Sequence, residues 1–342
     1  MLYLAFESSC DETAVAVVSS PDGKDEFTVL SNEIASQIDV HAKYGGVVPE
    51  IASRAHIEAI SALTYKALSD AGVAPEQIDR VAVTTEPGLI GALLIGVNFA
   101  KGFAYTYGKP LIGVNHIKGH VAANYLDGKI KTPFIAFVAS GGHTSIIKAS
   151  SYTDFETVGR TVDDAIGEAF DKIGRRMGLT YPCGAEMDRL AKSGDPGAFK
   201  LPSVHLKDGS FNFSLSGLKT HVVNLLNTAE MKGETVNRED ICASVTRVIC
   251  DSVTHQLDAC IKRYKTETML AAGGVLANSH LREAIKKLCD RRGVELHIPP
   301  LALCGDNGVM IAAAAKYEFE AGQRSDMSLD GRPSSKDDWQ SY

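Results

Sequence analysis

The sequence predicts an α/β protein made of two related domains. Three observations lead there. The chain has 342 residues, more than one ordinary hydrophobic core organises. Short apolar runs that read as buried strands alternate with longer amphipathic stretches that read as helices. One device also occurs twice at the same spacing. Phe6 to Thr13 and Phe137 to Thr144 each pass from a strand through a small polar loop to a threonine that opens a second strand. Such a duplication is expected to set two polar loops facing each other across a cleft.

Residues 2–6 and 14–18 read as a hairpin, and Pro21-Asp22-Gly23 turns the chain into a return strand over 27–35. An amphipathic helix is expected over 49–71, with Pro49 in its first turn, Gly72 at its end, and Ile60, Leu63, Ala67, Leu68 and Ala71 as its apolar stripe. Residues 80–85 read as a buried strand, and Glu86-Pro87-Gly88 leads into a helix over 89–105. Glycine costs a helix up to about 1 kcal/mol relative to alanine, so Gly91, Gly96 and Gly102 there imply that another backbone approaches closely. Strands are expected over 111–114, 133–139, 145–147 and 268–272. Helices are expected over 163–172 with an acidic first turn, after the loop 179–184, after 211–219, over 238–264, beyond an Asn278 N-cap, and over 309–317. From Ser325 onward the composition is polar and reads as a mobile tail.

Composition narrows the function classes. With 44% apolar and 23% charged residues the chain is ordinary for a globular protein. A net charge of -7 means that nucleic acid is not held by bulk charge. The longest apolar run, 89–97, is broken by Gly91 and Gly96 and falls well short of the ~20 residues that span a bilayer. Glu7 interrupts the apolar N-terminal stretch and no basic region precedes it, so no signal peptide is expected, and the protein is expected to be cytoplasmic with no membrane partner. Seven cysteines without a Cys-x-x-Cys pair read as reduced, mostly buried thiols. The basic clusters at 172–176, 262–265 and 286–292 read as solvated helix faces.

The chemistry concentrates in a few loops. His116 and His120 follow a short strand and lie four residues apart, which puts both imidazoles on one face of a helical turn where they can share a metal ion. Ile117 stands where a His-Glu-x-x-His site needs its glutamate, so a hydrolytic site of that kind lacks its base. Asp306 either caps the last helix or returns as a third ligand. The loop Glu7 to Thr13 carries hydroxyls with the acid pair Asp11 and Glu12, which suits wrapping a phosphate or positioning a cation. Ser140-Gly141-Gly142 can present bare backbone N–H groups to a phosphate. Gly273-Gly274 either lets a flat ring lie against the backbone or makes a tight strand-to-helix turn. Asp171 reads most simply as a surface partner of Arg175.

Glu7-Ser8-Ser9-Cys10-Asp11-Glu12-Thr13-Ala14, Asn115-His116 with Gly119-His120, Ser140 to Thr144, Glu168-Ala169-Phe170-Asp171-Lys172, Gly273-Gly274-Val275 with Asn278, and Asp306-Asn307-Gly308 occur in that order. Together they resemble the bacterial TsaD family, formerly called Gcp, of tRNA threonylcarbamoyladenosine transferases. The resemblance implies the fold shared by actin, Hsp70 and sugar kinases (ASKHA, RNase H-like): one subdomain over 1–114 completed by a returning helix near 308–324, a second over 115–307 and a tail over 325–342, with a nucleotide and metal cleft between the subdomains. It implies transfer of the threonylcarbamoyl group from threonylcarbamoyl-AMP to the exocyclic amine of the adenosine just 3′ of the anticodon, in tRNAs reading codons that begin with A. It further implies that His116, His120 and Asp306 hold one Fe2+ or Zn2+, and that Val138, Ala139, Ser140, Gly141, Gly142, Asp171, Gly184, Asp188 and Asn278 bind the adenylate. The amine must lose a proton in this reaction, and Asp11 or Glu12 is the candidate acceptor or orienting group. The partners implied are a TsaB paralogue, docking through the helices over 49–71 and 89–105, the TsaE ATPase, and tRNA. Gly305 departs from the family's usual threonine before Asp-Asn. A metallopeptidase, a non-catalytic scaffold like the paralogue, and a sugar-kinase-like phosphotransferase are the alternatives.

Overall fold

The computed structural model describes residues 1–128 and 130–334. The chain forms two units. One contains Met1–Ile130, Ser151–Asp154 and the segment from Gly305, and the other contains Lys131–Ser150 and Phe155–Cys304.

In the first unit, strands β1 (Leu2–Glu7) and β2 (Glu12–Ser19) form the expected hairpin, and β3 (Thr28–Ser36) returns beside β2. A short helix α1 (Ile38–Ala42) precedes the long α2 (Pro49–Ala71), which ends on Gly72 at φ 64°. Strand β4 (Arg80–Glu86), helix α3 (Ile90–Tyr107), strand β5 (Leu111–Asn115) and helix α4 (His116–Ala122) follow. The strand order is β3-β2-β1-β4-β5, with β1, β4 and β5 mutually parallel. β1 and β2 read as continuous apolar runs because both faces are covered. Leu4, Phe6, Val15 and Val17 pack with Ile60, Ala67 and Leu68 of α2 and Val97, Ala100 and Ala104 of α3. On the other face lies the returning helix Gly308–Glu320, whose first residue approaches the Ala16 backbone so closely that only glycine fits. Of the three α3 glycines, Gly91 and Gly96 make room for the side chains of Ser53 and Ser8 and not for another backbone, whereas Gly102 meets nothing within 4 Å.

In the second unit, β6 (Phe134–Ala139), β7 (Thr144–Ala149) and β8 (Phe155–Arg160) are antiparallel neighbours, and β9 (Thr268–Ala272) and β10 (Glu295–His297) extend the sheet in parallel beyond β6. The order is β10-β9-β6-β7-β8. Read from its hairpin edge this repeats the first sheet strand for strand, which is the duplication that the paired loops implied. Helices α5 (Ile166–Arg176), α6 (Gly184–Ala191), α7 (Ser216–Lys232), α8 (Arg238–Tyr264) and α9 (Ser279–Arg292) build its core, and the returning helix Gly308–Glu320 is α10.

Three details differ from expectation. The first unit runs past residue 114 to Ile130, because α4 packs on α10: a Cβ at Gly119 would lie 2.8 Å from Ile311 Cδ1. His116, His120 and Asp306 therefore all belong to the first unit. Asp163 and Asp164 precede α5 instead of forming its first turn; Asp163 accepts from the Leu215 and Ser216 N–H groups, and Asp164 pairs with Lys172 and Lys219. The polar segment from Ser325 is held as far as it is described. The Ser325 N–H donates to Leu111 O (2.9 Å), Arg332 N–H to Thr85 O (2.8 Å) and Gly88 N–H to Pro333 O (3.2 Å), while Leu329 packs into the core. These backbone bonds depend on register, which polar composition does not reveal; residues 335–342 of the expected tail lie outside the described residues. The thiols match expectation: all seven cysteines are free, and only Cys10 is not fully buried.

The second unit carries one acid-sensitive tie. Asp258 of α8 accepts from Arg292 of α9 (2.5 and 2.9 Å) and pairs with Lys262, and these partners hold its carboxyl at about 2. A depressed carboxylate contributes stability above its unfolded pKa of about 3.9 and loses it as pH falls through the folded value. Asp258→Asn is expected to lower unfolding stability at neutral pH and to match wild type near pH ~2, as read by denaturant melts at the two pH values.

Candidate functional site

Strand β5 ends in Asn115, whose Oδ1 accepts from the N–H groups of Ile117 (2.9 Å) and Lys118 (3.2 Å) and so starts α4 at His116. The turn that follows puts His116 and His120 edge to face, with ring centroids 4.6 Å apart. Asn307, not Asp306, caps α10 by accepting from Met310 N–H (2.9 Å), which leaves the Asp306 carboxylate turned to the histidines. Asp306 Oδ1 lies 3.3 Å from His120 Nε2 and 3.7 Å from His116 Nε2. One ligand atom from each of the three residues falls within 4.8 Å of the others.

This arrangement fits a cation. Both ring nitrogens of His120 are buried and neither has a hydrogen-bond partner among the described residues. A buried unpaired polar atom is costly, and a lone pair aimed at a metal ion relieves that cost. The acids nearby are also short of positive charge. Burial, reinforced by Asp306 and Asp11, pushes Glu12 up to about 9. Burial opposes the imidazolium of His116, but Asp306 and Glu7 outweigh it and raise that ring to about 9. A cation in place of those protons satisfies the same carboxylates.

The loop between β1 and β2 is fixed from three sides. Ser8 Oγ donates to Ala92 O (3.0 Å), Ser9 O accepts from Leu89 N–H (2.8 Å), and buried His56 of α2 spans the loop from Thr13 Oγ1 (2.7 Å) to Cys10 O (2.9 Å). Asp11 is 9% exposed, and its carbonyl accepts from Gln37 N–H (3.0 Å), so the acid pair is presented on a braced loop. Sequence reasoning gave the Glu7 to Thr13 loop a phosphate- or cation-binding role as a whole, but no individual role to Glu7 or Ser9 and none to Thr84 or His56. An acid closing a buried strand was the one available signal for Glu7; His56 lies 43 residues from Thr13 and gave none.

The remaining predicted residues lie in the second unit, mostly at the carboxyl ends of β6 and β9, where open α/β sheets bind ligands. Val138 and Ala139 are fully buried in β6. Ser140, exposed Gly141 and exposed Gly142 form a tight turn in which Ser140 N–H donates to His143 O (2.8 Å). Gly167 of α5 packs on that turn; its Cβ would overlap Ser140 O. Gly273, at φ 96°, abuts the Ala139 backbone. Asn278 caps α9 through Leu281 N–H (2.9 Å) and leaves its buried Nδ2 without a partner among the described residues, a donor open to a ligand. Asp171 accepts from Cys183 N–H (2.7 Å), one residue before Gly184 opens α6. Asp188 is engaged locally, accepting from Ser279 N–H (3.0 Å), Ser279 Oγ and His280 Nδ1 (2.8 Å).

A family model for tRNA N6-adenosine threonylcarbamoyltransferase matches residues 28–313. Proteins of that name from Clostridium botulinum (strain 657 / Type Ba4) and Clostridium perfringens (strain 13 / Type A) are each 49% identical, over 335 and 333 residues, covering 97% of both chains. Among solved structures, the activator of the 2-hydroxyisocaproyl-CoA dehydratase from Clostridium difficile aligns over 94% of this chain and 97% of its own at 15% identity, TM-score 0.52. HypF from T. kodakarensis aligns over 94% of this chain and 48% of its own at 13% identity, TM-score 0.63. These distant likenesses share the ASKHA fold. A family model over residues 28–313 and relatives 49% identical along nearly the whole chain place this protein in the tRNA N6-adenosine threonylcarbamoyltransferase family.

Proposed function

We propose that the chain transfers a threonylcarbamoyl group from threonylcarbamoyl-AMP to the exocyclic amine of the adenosine 3′ of the anticodon, releasing AMP. The observation that carries this reading is the convergence of His116, His120 and Asp306 in a chain of this family. Those residues would hold one Fe2+ or Zn2+. Such an ion supplies charge neutralisation to the phosphate of the donor and to its leaving group. The exposed backbone N–H groups of Gly141 and Gly142 donate to the anionic donor. Gly184 and the free Nδ2 of Asn278 contact the nucleoside, the buried Val138 and Ala139 anchor the Ser140 to Gly142 turn at the end of β6, and Asp171 and Asp188 hold the α6 and α9 ends that carry these contacts. Asp11 or Glu12 orients the amine or takes its proton.

Tyr65 and Ile57 of α2 and Tyr105 of α3 are 82%, 59% and 78% exposed, and such apolar surface supports docking of a TsaB paralogue there. TsaE completes the assembly in the cytoplasm. Among the described residues no helix is long and apolar enough to cross a membrane.

The test combines the chain with its TsaB and TsaE partners, threonylcarbamoyl-AMP and unmodified tRNA, and reads modified adenosine by mass spectrometry after digestion. Wild type is expected to form product. Asp11→Asn or Glu12→Gln is expected to slow single-turnover transfer by about 100-fold or more, the usual contribution of a positioned acid or base. Wild-type rates in both variants would remove the acid pair from the mechanism, and no product from wild type would remove the reaction.

A further inference from the structure

Glu7 is fully buried at the end of β1, and among the described residues no lysine or arginine pairs with it. Its carboxylate is met by donors instead. Ser9 N–H donates to Oε1 at 2.6 Å, Thr84 Oγ1 donates to Oε2 at 2.5 Å, and His116 Nδ1 lies 3.1 Å from the same Oε2. The opposite nitrogen of that ring, Nε2, faces Asp306. Which nitrogen carries the proton decides whether the ring can coordinate an ion on the Asp306 side. Ser9 Oγ, 3.1 Å from Nδ1, does not decide it, since a hydroxyl donates or accepts equally well. An ionised carboxylate only accepts. In the neutral ring Glu7 therefore places the proton on Nδ1 and directs the Nε2 lone pair to the Asp306 side.

We propose that Glu7 is a positioning residue, which sets the tautomer and ring orientation of His116 so that Nε2 is the coordinating atom. This rests on the metal reading of His116, His120 and Asp306. Carboxylates that accept from the remote nitrogen of a metal-bound histidine are a general device for ligand orientation and basicity, and losing one typically costs about 10–100-fold in metal affinity.

The isosteric change is the sharp test, because the surrounding donors force its orientation. In Glu7→Gln the Ser9 N–H still requires an oxygen at the Oε1 position. The amide NH2 then occupies the Oε2 position and donates to Thr84 Oγ1 and to His116 Nδ1. That moves the imidazole proton to Nε2, toward the ion. A residue that only filled space would tolerate glutamine. Glu7→Gln is thus expected to weaken Zn2+ binding by about 10–100-fold, at least as much as Glu7→Ala does, and to change the absorption spectrum of the Co2+-substituted protein. Titration uses the full chain with Zn2+ or Co2+ alone, with folding checked by circular dichroism. Glu7→Gln that binds within threefold of wild type, about 0.65 kcal/mol at RT of ~0.59 kcal/mol, overturns the role of Glu7. A wild-type protein that takes up no ion, or a His120→Ala variant that binds as wild type does, overturns the metal reading itself. Should both Glu7 variants misfold, nitrogen NMR of histidine-labelled wild type loaded with Zn2+ decides: a proton on Nδ1 of His116 supports the proposal, and coordination through Nδ1 sinks it.

Discussion

Alanine at His120 is expected to empty the His-His-Asp set and to abolish transfer. The imidazole is 0% exposed and, apart from the approach of Asp306 Oδ1 to its Nε2 at 3.3 Å, meets no polar partner among the described residues, so its removal disturbs no hydrogen bond elsewhere in the fold. Two donors then remain, His116 and Asp306, and they cannot complete the coordination that a bound divalent ion needs. The affinity loss should exceed the about 100-fold that follows from deleting an outer partner of a ligand. Metal content after dialysis should fall from one equivalent to a trace, and modified adenosine should vanish with it. Thermal stability of the metal-free protein should change little, since relief of a buried unpaired imidazole offsets part of the cost of the cavity that alanine leaves. Transfer at the wild-type rate from a His120→Ala protein shown to be metal-free would detach the reaction from the metal.

The second large effect is expected at Gly273, in the second unit. Its φ of 96° lies in a region that side chains rarely enter, and a Cβ there would overlap the carbonyl and backbone of Ala139. Strained dihedrals cost about 1–3 kcal/mol, and overpacking a rigid contact adds about 1–3 kcal/mol. Gly273→Ala should therefore lose roughly 3 kcal/mol or more in the second unit, read as faster hydrogen exchange of the β6 and β9 amides. Because the contact lies at the root of the Ser140 to Gly142 turn, adenylate binding should weaken in parallel. Gly274 is the control: it meets nothing within 4 Å, and Gly274→Ala should stay within about 0.5 kcal/mol of wild type. Equal behaviour of the two variants would show that β6 and β9 do not need the close approach at Gly273.

Local patterns carried much of this protein into view. The hydrophobic period and the Pro49 and Gly72 signals set the bounds of α2, and Asn278 was legible as the cap of α9 because capping acts over three residues. The repeated strand-loop-strand spacing anticipated a duplication that the matching strand orders display. The four-residue separation of His116 and His120 placed them on one helical face, since a helix returns to that face about every 3.6 residues. Interactions that close over long separations were not legible. Asp306 had two readings in the sequence, and Asn307 decided between them by taking the cap. Glu7, Thr84 and His116 are 77 and 109 residues apart along the chain, and only the pairing of β1 with β4 and of β4 with β5 brings their side chains together. The segment after Ser325 was polar enough to read as a tail, yet its backbone bonds to Leu111 and Thr85 hold it in place. Propensity, capping and helical periodicity act within about one turn and are written in adjacent residues. The partners of a buried carboxylate or of an orphan imidazole are set by strand order and helix packing, and in this chain tertiary structure alone supplied them.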